Sequence, residues 1–350
     1  MPLTLCLAKL QSVNKVTFAD TLKEALGSES LITVGLPVCD AMPHLPEAMD
    51  SLLGQTSSSF EVLAIVDGGS DESLAYLQSI RDPRLRILVQ PNMGVTQTLN
   101  RLLRECRTPW LVRQDADDVS NPTRIERLIA AIREYPNSGM FYSLANYHPH
   151  ERTVGSFRCS RGSPAELRSI VQSGYLLSIC HPTVALNVRK TLALGGYRIG
   201  LHNEDGDLWW RMALEHDIRC IPEVLVGFRQ HMSSVSSRNL TDQVVAGLYI
   251  QYLLLSYLWK RPRRPLSQIR DLLASLLPDG QLRAKEQLRT FNIRLAEGRR
   301  WSALGAFARS VQASPSYVLK RMGDEFLSSR NIANGIRPQL FFERRKALWL

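Results

Sequence analysis

From residue 31 to residue 144, short continuous apolar runs alternate with apolar stripes of helical spacing. Leu31 to Val38 is apolar and rich in β-branched residues, which predicts a strand buried on both faces. Leu45, Met49, Leu52 and Leu53 then fall on one helix face. Phe60 to Val66 predicts a second strand, running into Asp67-Gly68-Gly69-Ser70-Asp71, and Leu74, Leu77 and Ile80 predict a short helix. Leu85 to Val89 is a third strand, stopped by Pro91. Val95, Leu99, Leu102, Leu103 and Cys106 form another helical stripe, followed by a short strand at Trp110 to Val112. That strand leads into Arg113-Gln114-Asp115-Ala116-Asp117-Asp118. Asn121-Pro122 supplies an N-cap and a first-turn proline for a helix burying Ile125, Leu128, Ile129 and Ile132, and Met140 to Leu144 is a further strand.

Repeated strand–helix–strand units predict an α/β fold: a mostly parallel sheet covered by helices, with right-handed crossovers. Such sheets bind ligands beyond the C-terminal ends of their strands. The acidic segments at Asp67 and Asp115 both follow strands and are expected on that one edge. Beyond about residue 235 the strand signals stop and helical stripes take over, interrupted at Pro262/Pro265, Pro278-Asp279-Gly280 and Pro315. Residues 1–30 carry only weak periodicity, with one helix expected near Phe18 to Leu26. The organisation read from this is an N-terminal extension over 1–30, an α/β domain over 31–237 and a basic helical region over 238–350. Trp301, Leu304, Phe307, Ala308 and Val311 resemble one helix of a helical-repeat unit, without a full repeat period.

Composition narrows the class. With 350 residues, 44% of them hydrophobic, the chain is neither disordered nor a low-complexity polymer. Its longest apolar run, Tyr252 to Trp259, is far short of the ~18 residues of a membrane span, and the start of the chain lacks the pattern of a secretory signal. The six cysteines form no CxxC and no zinc-finger spacing, so buried free thiols in a reducing compartment are expected. The net charge of +10 is unevenly placed: residues 260–350 hold 19 Lys+Arg against 7 Asp+Glu, a net of +12. That asymmetry suits either an anionic partner or a solvated helical surface.

Asp115, Asp117 and Asp118 carry the clearest chemistry. Three carboxylates in four residues repel one another in a compact site unless a cation balances them. Mg2+ and Mn2+ take oxygen ligands and keep positions for phosphate oxygens, so a strand-end D-x-D suits a metal bridging to a diphosphate.

Six segments, in order, are similar to motifs of the family 2 glycosyltransferases. Leu36-Pro37-Val38-Cys39-Asp40 resembles P-x-Y-N, Ser51-Leu52-Leu53-Gly54-Gln55-Thr56 resembles S-x-L-x-Q-T, and Ile65-Val66-Asp67-Gly68-Gly69-Ser70 resembles V-D-D-G-S. Asn92-Met93-Gly94 with Leu99-Asn100 resembles N-x-G…(L)-N, Arg113 to Asp118 resembles R-x-D-A-D-D, and Glu204-Asp205-Gly206-Asp207-Leu208-Trp209 resembles E-D-x-D-L-W. The resemblance covers residues 31–235. It implies the GT-A nucleotide-sugar fold and inverting, metal-dependent transfer of a sugar from a nucleoside-diphosphate sugar, with UDP favoured, to a hydroxyl of a glycan or lipid-linked acceptor. The setting it implies is bacterial envelope polysaccharide synthesis at the cytoplasmic side. The +12 excess separately makes the basic C-terminal region a candidate peripheral contact to an anionic membrane surface, with Leu254, Leu255, Leu258 and Trp259 expected to add apolar insertion where exposed.

The resemblance also implies roles. Pro37, Val38 and Asp67 would line the nucleoside pocket, Asp115 would approach the ribose, Asp117 would be the principal ligand of Mg2+ or Mn2+, and Asp118 would lie on the donor side. Asp205 would be the general base, Glu204 and Trp209 acceptor-side groups, and His231 a late histidine near the diphosphate or metal. His181, in Cys180-His181-Pro182-Thr183, suits a structural or acceptor-rim place, and Gly195-Gly196 a helix C-cap. The chain departs from the family pattern in two places. Gly68 stands where V-D-D-G-S has its second Asp, so either Asp71 replaces it or the donor carries another base. Cys39-Asp40 stands where P-x-Y-N has Tyr-Asn. Two rival classes are weaker. A nucleotidyltransferase needs a Gly-rich basic loop after the first strand, where Pro37-Val38-Cys39-Asp40 stands. A non-catalytic nucleic-acid binder needs interleaved basic and aromatic residues, and the C-terminal third has few aromatics.

Overall fold

The computed structural model describes residues 30–148, 156–230, 240–276 and 280–328. In order the elements are β1 (Ile32–Val38), α1 (Leu45–Leu53), β2 (Phe60–Asp67), α2 (Ser73–Ser79), β3 (Leu85–Gln90), α3 (Val95–Glu105), β4 (Trp110–Arg113), β5 (Val119–Ser120), α4 (Arg124–Glu134) and β6 (Met140–His148). Then come α5 (Pro164–Gln172), β7 (Val184–Asn187), α6 (Val188–Ala193), α7 (Glu204–Glu215), β8 (Ile218–Arg229) and the C-terminal helices α8 (Leu240–Leu258), α9 (Leu266–Ser275), α10 (Gln281–Ala296), α11 (Arg300–Ala313) and α12 (Pro315–Ser328).

The strands form one sheet in the order β3-β2-β1-β4-β7-β6-β8-β5. β1 pairs in parallel with β2 and β4, and β2 with β3. The far half is mixed: β7 runs antiparallel to β4 and β6, β6 is parallel to β8, and β5 is antiparallel to β8. The sheet is thus an α/β sheet, parallel through β1–β4 as the buried runs predict and mixed beyond. Alternate residues face opposite layers, as a pleated strand requires. Val62, Ala64 and Val66 of β2 pack with Leu45, Met49, Leu52, Ile125 and Leu128 from α1 and α4. Leu63 and Ile65 face the other way, with Leu99 and Leu102 of α3 and with Trp209 and Trp210 of α7.

The second layer continues into the C-terminal helices. Leu248, Ile250, Tyr252, Leu254 and Leu255 of α8 and Ile269 and Leu273 of α9 belong to the same core as α7. The turn between α8 and α9 is tied back to α8, because Arg264 N–H donates to Tyr252 Oη (2.9 Å) and Tyr249 Oη donates to the Arg264 carbonyl (3.0 Å). Leu254 (0%) and Leu255 (4%) are therefore core residues, and the sequence-based expectation that they could insert into a lipid surface is wrong for them. No helix among the described residues is long and apolar enough to cross a membrane. The helix expected near Phe18 to Leu26 lies outside the described residues.

Candidate active site

β1, β2 and β4 run in parallel and deliver Val38, Asp67 and Arg113 to one edge of the sheet. Asp115, Asp117 and Asp118 follow β4 directly, and their carboxylate oxygens lie within 4.8 Å of one another. Several buried groups fix this loop. Arg113, 3% exposed, donates to Asp115 Oδ1. Gln114 Nε2 donates to the carbonyls of Asp118 (2.7 Å) and Asp115 (3.2 Å). Gln114 Oε1 accepts from Arg124 Nη1 (2.6 Å) and from Ser120 Oγ (2.9 Å). Arg124 is buried, spends Nη2 on the carbonyls of Arg113 (2.8 Å) and Pro182 (2.5 Å), and titrates at about 10 because burial penalises its charge.

Burial, and then the neighbouring carboxylates Asp115 and Asp117, push Asp118 well above the usual carboxylate range. Burial also raises Asp115, against the pull of Arg113. Asp118 Oδ1 accepts the Arg229 backbone N–H (2.7 Å), while Oδ2 is buried with no hydrogen-bond partner. An orphaned buried carboxylate oxygen beside two more carboxylates is what a hard divalent cation would satisfy. The residues present thus fit Mg2+ or Mn2+, with Asp115, Asp117 and Asp118 as candidate ligands. Asp118 stands among the ligand candidates rather than only on the donor side. His231 lies outside the described residues.

On the donor side the geometry redistributes several expected roles. Val38 is 1% exposed and its side chain sits in the core, so only its backbone faces the sheet edge. Pro37 is half-buried. The Asp67 carboxylate holds the β3–α3 loop: Oδ1 accepts from Gln90 Nε2 (2.7 Å) and Met93 N–H (2.8 Å), and Oδ2 from Gly94 N–H (2.9 Å). With both oxygens taken, Asp67 fixes the position of that loop. Asp40 and Asp71 do similar work between the β1–α1 and β2–α2 loops. Asp40 Oδ1 accepts from Ser70 N–H (2.7 Å) and Asp71 N–H (3.2 Å), while Asp71 Oδ2 accepts from Met42 N–H (2.8 Å) and Oδ1 from Ser73 N–H (3.0 Å). Cys39 is exposed, takes a long contact from Asn92 Nδ2 (3.4 Å), and has its thiol raised by burial and by Asp40, Asp67 and Asp71.

The second acidic site opens α7. Burial pushes Asp205 up to about 6, with Asp115 adding to the rise and Arg113 opposing it. Glu204 is 8% exposed and is pushed up to about 7 by burial and by Asp205. Arg113 and Asp115 thus act on both sites, which brings the two acidic clusters into one electrostatic environment. The helix is held by Asp207, fully buried between Arg198 (2.6 Å) and Arg211 (2.7 Å). Arg211 also donates to the carbonyls of Leu194 and Gly196 (2.8 Å each). Asn100 of α3 closes the same loop, donating to the Tyr197 carbonyl (2.8 Å) and accepting its N–H (2.9 Å). Gly195 and Gly196 end α6 with positive φ (85° and 65°), as a C-cap requires.

Trp209 is 1% exposed, so the expected acceptor-facing ring is a core ring; it meets His181 edge-on, with ring centroids 5.6 Å apart. Leu208 to Ala213 are all buried, so this stretch of α7 is covered on every side, which its own sequence does not reveal. His181 Nε2 pairs with Tyr197 Oη (2.9 Å), and burial, then Arg113, holds the imidazole well below its usual range, hence neutral. Arg113, Gln114, Arg124, Asn100 and Arg229 received no role from the sequence. Their signal was confined to membership of the quoted motifs or absent.

Residues 33–192 match the family model described as Glycosyl transferase family 2. The chain is 28% identical over 204 residues to the amylovoran biosynthesis glycosyltransferase AmsE of Erwinia amylovora, covering 56% of this chain and 74% of that protein. It is 27% identical over 250 residues to the O-antigen biosynthesis glycosyltransferase WbnJ of Escherichia coli, covering 66% and 90%. Among solved structures, TarS 1-349 of S. aureus in complex with UDP-GlcNAc shares the fold, with a TM-score of 0.53 and 15% identity over 86% of this chain and 88% of that one.

Proposed function

We propose that this chain, whose residues 33–192 match the glycosyl transferase family 2 model, is a glycosyltransferase of that family that moves a sugar from a nucleoside diphosphate to a hydroxyl of a glycan or lipid-linked acceptor, with inversion at the anomeric carbon, in bacterial envelope polysaccharide synthesis. One observation carries this reading. Two acidic sites share the electrostatic influence of Arg113 and Asp115, one a tight carboxylate cluster with an orphaned buried oxygen and the other a carboxylate whose burial sets it near 6. The similarity to AmsE and WbnJ supports the polysaccharide setting.

In this reading each site has one task. Asp115, Asp117 and Asp118 would hold Mg2+ or Mn2+, which when bound would offset the charge on the departing diphosphate. Asp205 takes the proton of the acceptor hydroxyl as that oxygen attacks, and a base near 6 is both ionised at neutral pH and basic enough to help. Glu204 borders Asp205 on the acceptor side, Arg113 keeps Asp115 oriented, and neutral His181 with Tyr197 closes the floor between the two sites. Asp67 with Pro37 and the Val38 backbone walls the nucleoside pocket. UDP is the favoured nucleotide, the one TarS binds as UDP-GlcNAc. His231 is retained as a candidate group near the diphosphate.

The basic C-terminal helices are proposed as a peripheral contact to the anionic inner face of the plasma membrane. Leu254 and Leu255 are excluded from it, exposed Trp259 is retained, and exposed Trp301 and Leu304 are added. A screen of UDP-, GDP- and dTDP-sugars for nucleoside-diphosphate release, with and without Mn2+, tests the reading. Metal-dependent release from one donor class is expected, and no release or binding of any donor would contradict it.

A further inference from the structure

Arg229, the last residue of β8, touches the acidic loop twice. Its backbone N–H donates to Asp118 Oδ1 (2.7 Å) and its Nε donates to the Asp117 carbonyl (2.8 Å). Its Nη2 pairs with Glu47 Oε2 of α1, and Glu47 Oε1 meets His148 Nε2 (3.1 Å) at the end of β6. The Arg229 side chain is 12% exposed, while its partner Glu47 is 52% exposed, so the brace reaches the surface. The Asp117–Asp118 peptide is therefore gripped at its carbonyl and at the following side chain by one residue. That residue is braced in turn against two further elements, α1 and β6.

The grip has a consequence for the cluster. Three carboxylates within 4.8 Å repel one another, and an unbraced loop would relieve that by spreading or by keeping protons. With Oδ1 of Asp118 committed to a backbone N–H, Oδ2 is the oxygen left without a partner. We infer that Arg229 is a positioning residue that preorganises the acidic loop for a divalent cation, with Glu47 as its brace. The inference rests on the metal-binding reading of Asp115, Asp117 and Asp118 and adds to it a pair of residues 182 positions apart that no motif of the acidic loop contains. Residues that orient a ligand loop without touching the ion typically control metal affinity by ~10- to 100-fold.

The test is Mn2+ alone, titrated into the full-length protein and followed by electron paramagnetic resonance, with no nucleotide and no turnover. Arg229→Ala is expected to weaken Mn2+ binding by at least ~10-fold. Arg229→Lys, which keeps the charge but cannot span Asp117 and Glu47 together, is expected to weaken it by several-fold. Glu47→Gln is expected to weaken it by ~1.5- to 5-fold, the scale of one exposed ion pair. Arg219→Ala, which removes a β8 arginine engaged with Ser138 and Asp217 instead, is expected to leave the affinity unchanged. A melting temperature measured beside each titration keeps general destabilisation apart. Arg229→Ala, or Arg229→Lys if the alanine variant does not fold, binding Mn2+ within twofold of the parent would overturn the inference, as would an equal loss in Arg219→Ala. A parent protein that binds no Mn2+ would overturn the metal reading itself, a result distinct from unchanged variants.

Discussion

Gly68 lies against Asn92: a Cβ at position 68 would come 2.9 Å from Asn92 Cβ and 3.0 Å from its backbone nitrogen. The backbone there has φ +68°, and its N–H donates to the Gln90 carbonyl (2.9 Å). The departure from V-D-D-G-S thus has a physical cause, since the β3–α3 loop occupies the volume a side chain would need. Restoring the family residue with Gly68→Asp should destabilise the protein by ~1 kcal/mol or more, the cost of a strained backbone position. Asn92→Gly in the same chain should recover part of that loss. Thermal denaturation of the two variants checks this, and a fully stable Gly68→Asp chain would refute the packing argument.

The acidic pair on α7 sets a pH dependence. Asp205 must be ionised to accept a proton, and its titration at about 6 predicts a kcat/KM that falls about tenfold per unit below that pH. Glu204→Gln should keep the limb at or below the same midpoint, because an amide adds no repulsion, whereas Asp205→Asn should remove the limb with most of the activity. A pH–rate profile of the three proteins reads both effects.

The same shift has a sign for stability. Asp205 and Glu204 titrate higher folded than unfolded, so the folded state holds their protons more tightly. The favourable contribution is complete below pH ~4 and is lost as pH rises through the folded values of about 6 and about 7. Asp205→Asn in EDTA should therefore melt above the parent at pH 7.5, with the gap closing toward pH 4.

Two residues along the same helix, the sign reverses. Asp207 is fully buried and paired with Arg198 and Arg211, so Asp207→Asn leaves buried cationic charge unbalanced. The expected loss is ~3–5 kcal/mol of stability, with weaker hold on the Leu194–Gly196 turn. Denaturant unfolding measures it.

The C-terminal helices give a surface prediction. Trp301 is 87% exposed and Leu304 55%, one turn apart on α11, in a region with a net charge of +12. Sedimentation with anionic vesicles should decline as salt rises from ~0.05 to ~0.5 M, and Trp301→Ala/Leu304→Ala should reduce it. Equal recovery with neutral and anionic vesicles would leave only a solvated helical surface.

Strands β1, β2 and β4 were legible because buried parallel strands are written as continuous apolar runs, and Val62 to Val66 packs on both faces, while half-exposed β3 at the sheet edge was marked by its short apolar run and Pro91. β7 and β8 were not. Val184–Asn187 is four residues after a His-Pro-Thr turn, and Ile218–Arg229 is broken in pattern by Pro222 and Glu223. The acidic loop announced itself through charge density, which is local. Its support did not, because Arg124, Arg229 and Glu47 reach it only through the folded sheet. Leu254, Leu255 and Trp209 were misplaced for the same reason: an apolar residue on a helix shows its periodicity, but what covers that face is a tertiary fact.

The most direct measurement separates the two acidic sites. Donor binding and single-turnover transfer are compared in Asp117→Asn and Asp205→Asn with Mn2+ present. Asp117→Asn is expected to lose metal-dependent donor binding and, with it, transfer. Asp205→Asn is expected to bind donor as the parent does and to transfer at least ~10²-fold more slowly. Transfer surviving in Asp205→Asn at saturating donor, or Mn2+-dependent donor binding intact in Asp117→Asn, would contradict the assignment of one task to each site.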